Sequence, residues 1–65
     1  MTPQFIAHCA KLSDNALRAF ACEVAVSNAA RGHDISKDAK EMLDAWAFGK
    51  NFRQIAMRVA YNVKA

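Results

Sequence analysis

A chain of 65 residues holds one domain at most, close to the size below which a core needs a staple, a metal or a second subunit. Hydrophobic residues make up 54% and the formal net charge is +3. No apolar run reaches the roughly 20 residues of a membrane span, and no charged leader precedes an apolar block. The expectation is therefore a cytoplasmic, soluble domain, with Cys9 and Cys22 as two buried free thiols.

Thr2-Pro3 reads as an N-cap followed by proline at the first helical position, opening a helix over about residues 3–12 with Phe5, Cys9 and Leu12 on one face. Ser13-Asp14-Asn15 interrupts it, because these side chains bond the local backbone and favour caps over helix interiors. A second helix is predicted over about 14–31. Leu17, Phe20, Ala21 and Val24 recur there at helical spacing, and Gly32 stands at the left-handed cap. Ala16, Ala19, Ala25, Ala29 and Ala30 line its remaining faces, a small-residue flank compatible with close approach of a second helix.

Asp34-Ile35-Ser36 opens a third helix, about 36–48, with either polar residue as cap and Gly49 as its end. Ala39, Met42, Leu43 and Trp46 form its apolar stripe, and Lys37/Glu41 and Lys40/Asp44 are i,i+4 pairs. Asn51 with Gln54 three residues on resembles a capping box for a fourth helix, about 52–63. Phe52, Ile55, Ala56, Val59 and Val63 share one of its faces within about 100° of arc. Residues 1–65 are thus read as one all-α domain, a small bundle of three to four short helices completed by homodimerisation. The homodimer is expected because the large apolar residues outnumber the places where one small core can hide them.

Charge is unevenly distributed. Residues 33–48 carry Lys37 and Lys40 against Asp34, Asp38, Glu41 and Asp44, while Lys50, Arg53, Arg58 and Lys64 follow with no acid among them. On the fourth helix Arg53, Met57, Tyr61 and Lys64 fall at spacings of four, four and three, a stripe expected to face away from the core, with Arg58 further round. Arginine forks, lysine charge and a rigid tyrosine suit an acidic protein groove or a phosphate backbone. Trp46 and Phe48 are the apolar anchors proposed beside it. Phe48 falls on the polar side of its helix, and either folds under the Gly49 turn or makes an exposed contact.

The segment 42–59, with Leu43, Gly49, Ile55 and Ala56 at matching positions, resembles the first two helices of helix-turn-helix domains of the LuxR, sigma-region-four and resolvase type. The likeness stops at Val59, and the recognition helix of those families has no counterpart in Ala60-Tyr61-Asn62-Val63-Lys64-Ala65. In size and composition the chain is also similar to small bacteriophage accessory proteins that bind host machinery, which would place it in a host cytoplasm. His8, Cys9, Cys22 and His33 lack zinc spacing, so no metal is expected. No nucleophile has a base partner, so neither catalysis nor a cofactor is expected. The reading from sequence is a non-enzymatic protein-protein interaction module, a phage-type inhibitor or modulator; the alternative is a DNA- or other nucleic-acid-binding regulator using the basic C-terminal helix.

Overall fold

Four caps and turns divide the chain into helices. The computed structural model describes residues 1–65 as α1 (Pro3–Ala10), α2 (Asp14–Ala30), α3 (Ser36–Phe48) and α4 (Phe52–Tyr61), with no strand. Thr2 Oγ1 accepts from the Phe5 N–H and Ser13 Oγ from the Ala16 N–H, each at 3.1 Å, so both expected N-caps form. Gly49 ends α3 at φ 69°, and Gly32 follows α2 at φ 91°, conformations that glycine adopts without a Cβ clash.

Two expected caps differ. Ile35 occupies the N-cap position of α3, and the Asp34 carboxylate, one residue earlier, accepts from the Ser36 N–H at 2.9 Å and from its hydroxyl at 2.6 Å. Asn51 precedes α4 in a left-handed conformation, φ 54°, and makes no side-chain cap bond. No capping box forms there, because the turn after Gly49 needs a second positive φ, a conformation asparagine tolerates.

α4 is the helix on which the other three pack. It buries Phe52, Ala56, Val59 and Ala60 and packs most extensively on α2, then on α3, and less on α1; α2 and α3 barely touch each other. Leu17, Ala21 and Ala25 of α2, Met42 and Ala45 of α3, and Cys9 of α1 complete the core. Among its ten buried apolar residues only Leu17, Met42, Phe52 and Val59 are larger than alanine or cysteine. The helices meet through small side chains, at close range but with little apolar area. Ala25, placed from sequence on the small-residue flank of α2, belongs to this interior.

The single buried polar side chain is Asn28. Its amide donates to the Asn62 carbonyl at 2.8 Å and its Oδ1 accepts from the Lys64 N–H at 2.9 Å. His33 Nε2 reaches the Ala65 carbonyl at 2.9 Å. Residues 62–65 are therefore strapped along the end of α2 instead of extending α4. Val63, expected on the core face, lies outside the helix and is 65% exposed.

Charge pairing differs from the expected i,i+4 pattern at one position. Lys40 and Asp44 do pair, at 3.8 Å, but the Glu41 carboxylate takes the Arg58 guanidinium of α4. That contact, above all its hydrogen bond, holds Glu41 below its ordinary value of 4.5. A carboxylate depressed in the folded state stabilises the fold above its unfolded value and loses that contribution as pH falls through the folded one. Wild type is therefore expected to exceed Glu41→Gln in urea midpoint at neutral pH, and the two are expected to converge as pH falls through the lowered folded-state value. Equal midpoints at neutral pH would show that the pair contributes nothing.

Candidate functional site

The predicted cationic stripe on α4 does not face outward as a unit. Arg53 is half-buried and donates to the Cys9 and Leu12 carbonyls at 2.8 and 2.9 Å and to Asp14 at 2.6 Å. It thereby holds the turn between α1 and α2. Met57 packs against the core, and Tyr61 meets Phe5 edge-on at 4.9 Å between ring centres. The physical reason is α1: it docks on this side of α4 and draws Arg53 and Met57 into a partly buried seam, while Tyr61 stays 44% exposed. Lys64 lies beyond α4 in the strapped segment, and Arg58 is engaged by Glu41. Phe48 is 75% exposed, which resolves its two readings in favour of the surface. It borders a shallow hollow with Glu41, Lys50 and Ile55.

The larger apolar feature lies on the opposite side of α3. Because α2 and α3 both lean on α4 and barely touch, they leave a groove of about 510 Å³ between them. One wall is Ala19, Cys22, Ala25 and Val26 of α2; the other is Ala39, Met42, Leu43 and Trp46 of α3, with Ile35 closing one end. Val26 is 64% and Leu43 69% exposed, and Trp46 is partly open. The Trp46 ring rests edge-on against Phe52 at 4.8 Å, and the Arg18 guanidinium lies 4.4 Å from its centre. A cation over an indole face is worth about 0.5–1 kcal/mol at an open site, a modest bias toward the ring position that forms this wall.

Of the partner-binding residues proposed from sequence, Trp46 alone lines this groove; Arg18, Cys22, Val26 and Leu43 are not among them. Cys22 is exposed, contrary to the expected pair of buried thiols, whereas Cys9 is buried and its thiol is pushed up by that burial. The signal available was spacing. Ala19, Cys22 and Val26 follow at three and four residues on α2, and Ala39, Leu43 and Trp46 at four and three on α3. Each set marks one helix face, but nothing local says that the two faces open on the same side.

Chemically the groove is spare. Its polar groups are the Arg18 guanidinium, already turned onto Trp46, and the Cys22 thiol. A small-molecule site of this volume ordinarily carries several converging polar groups to orient its ligand. Two apolar ridges about 10–12 Å long match instead the two turns over which a helix presents i, i+3, i+4 and i+7 side chains. No three histidine, cysteine or acidic residues come together as a metal-binding group, and no helix is long and apolar enough to cross a membrane. Comparison with family models, curated proteins and solved structures found no significant match to the chain.

Proposed function

We propose that this chain is a non-enzymatic interaction module whose recognition surface is the α2/α3 groove, and that the groove receives an amphipathic helix of a polypeptide partner. The observation that carries this reading is the exposure of Val26, Leu43 and Trp46 around one apolar groove. Contiguous apolar surface left open on a small domain marks an interaction site more often than scattered exposed residues do. The module acts by occupancy: covering a helical surface of its partner blocks or recruits whatever else uses it. A nucleic-acid role draws less support, since Arg53 and Arg58 are each engaged within the fold and the groove offers no phosphate donor other than Arg18.

A photoreactive side chain at position 43, with the protein expressed in its native cell, tests the reading. A discrete protein adduct is expected there, suppressed by Val26→Asp, with none from position 48. Adducts from position 48 alone, or to nucleic acid, would refute it. Because both residues are exposed, Leu43→Asp and Val26→Asp are expected to keep wild-type helicity and unfolding midpoint within about 0.5 kcal/mol.

A further inference from the structure

We infer that the helix received by the α2/α3 groove carries a carboxylate one turn beyond its apolar stripe, and that Arg18 takes that carboxylate. This rests on the reading that the groove is the functional surface.

Arg18 is the arginine that the fold leaves without an acceptor. Arg53 is paired with Asp14, Arg58 with Glu41, and Arg31 donates to the Ser27 hydroxyl at 2.6 Å. Arg18 lies 4.4 Å from the centre of the Trp46 ring, and none of its N–H donors meets an oxygen of the chain. Asp14 stands four residues earlier on the same helix, the spacing of an intrahelical pair, but its carboxylate is taken by Arg53. A guanidinium set against a wall with its donors unbonded is a fork for a planar anion.

Charge changes sign along the groove. Arg18 and Trp46 form one end of it, and no carboxylate is among the lining residues. Toward the other end Glu23 borders the α2 wall beside Cys22 and Val26. Lys40 is outside the lining and paired with Asp44. An acidic side chain on a seated helix is therefore attracted at the Arg18 end and repelled near Val26.

Filling the groove turns this asymmetry into a preference. A helix lying across Trp46 covers Arg18 as well, because the two share one end. An apolar cover would strip water from the guanidinium and return no acceptor, which disfavours binding. A carboxylate at that point replaces the lost water with charge-assisted bonds. Apolar side chains at i, i+3, i+4 and i+7 cover about 10 Å of the groove, and the next turn of the same helix reaches its Arg18 end.

Fluorescence anisotropy of two labelled helical peptides of about 18 residues, titrated with the whole chain, tests this. Both carry leucines at i, i+3, i+4 and i+7 and two glutamates. In the first, a glutamate stands one turn beyond each end of the stripe, so that either orientation brings one to Arg18. In the second, both glutamates lie on the outward face, which keeps the net charge equal. The first is expected to bind about three- to tenfold more tightly. Arg18→Gln is expected to bring the two peptides within about twofold of each other. Equal affinity of wild type for both, or a preference that survives Arg18→Gln, overturns the inference and leaves the groove reading standing. Binding of neither removes both. Dodecanoate is expected not to displace the first peptide; displacement would assign the groove to a fatty-acid chain and overturn the polypeptide partner. Sedimentation showing a dimer of the chain alone that Leu43→Asp dissolves would give the groove to a second copy and overturn the inference as well.

Discussion

Replacing Arg53 by methionine is expected to lower stability by about 2–3 kcal/mol, a large share of the roughly 3–5 kcal/mol that one core of this size supplies. The carbonyls of Cys9 and Leu12 accept from one Arg53 nitrogen, in a part-buried position. Methionine keeps the aliphatic stem but leaves the Leu12 oxygen without a donor as α1 packs on α4, while the Cys9 oxygen keeps the Leu12 N–H at 3.0 Å. Loss of two charge-assisted bonds and the cost of one poorly solvated carbonyl act together. The ion pair with Asp14 contributes little, since its partners are 40% and 63% exposed and open pairs are worth about 0–1 kcal/mol. Asp14→Asn is thus expected to cost under about 1 kcal/mol, and Arg53→Lys to fall between, because an ammonium cannot fork to all three oxygens. Thermal unfolding should drop by about 10–20 °C for Arg53→Met. A shift no larger than that of Asp14→Asn would show that the carbonyl bonds do not matter.

Leu17→Ala is expected to cost more, about 3–4 kcal/mol, and to leave the chain largely unfolded at room temperature. Leu17 is completely buried, the largest side chain in the molecule with so little exposure. Its cost lies in the upper part of the leucine-to-alanine range because the core is rich in Ala21, Ala25, Ala45, Ala56 and Ala60. Alanine has no rotamer with which to lean into a void, so the cavity persists. Leu17→Met, which nearly conserves volume, is expected to stay within about 1.5 kcal/mol of wild type. Helicity followed by circular dichroism in urea distinguishes the two; a Leu17→Ala chain with a wild-type midpoint would mean that the core is organised around another residue.

The parts of the fold legible in the sequence were those written in local chemistry. Thr2, Ser13, Gly32 and Gly49 sit where they were expected to punctuate the helices, and each does so through a hydrogen bond or a backbone angle involving only near neighbours. The face of α4 bearing Phe52, Ala56 and Val59 was legible for the same reason: its periodicity is strong. What could not be read was which face meets which. An arginine with methionine and tyrosine at helical spacing looks like a surface stripe until α1 folds over it and offers two carbonyls to its guanidinium. The groove was hidden by a related fact. Val26 belongs to no stripe legible on α2, and Leu43 and Trp46 share an α3 stripe with the buried Met42; all three are left open because α4 takes the central place and keeps α2 and α3 apart.

That openness is the claim on which the function rests, and quenching of Trp46 fluorescence by acrylamide measures it directly, since Trp46 is the only tryptophan in the chain. In dilute protein the quencher is expected to reach the indole readily. Accessibility is expected to fall several-fold when an added amphipathic helix fills the groove, and to stay high in Leu43→Asp under the same addition. A Trp46 already shielded in dilute monomer, or equally open under every condition, would contradict the groove and the function built on it.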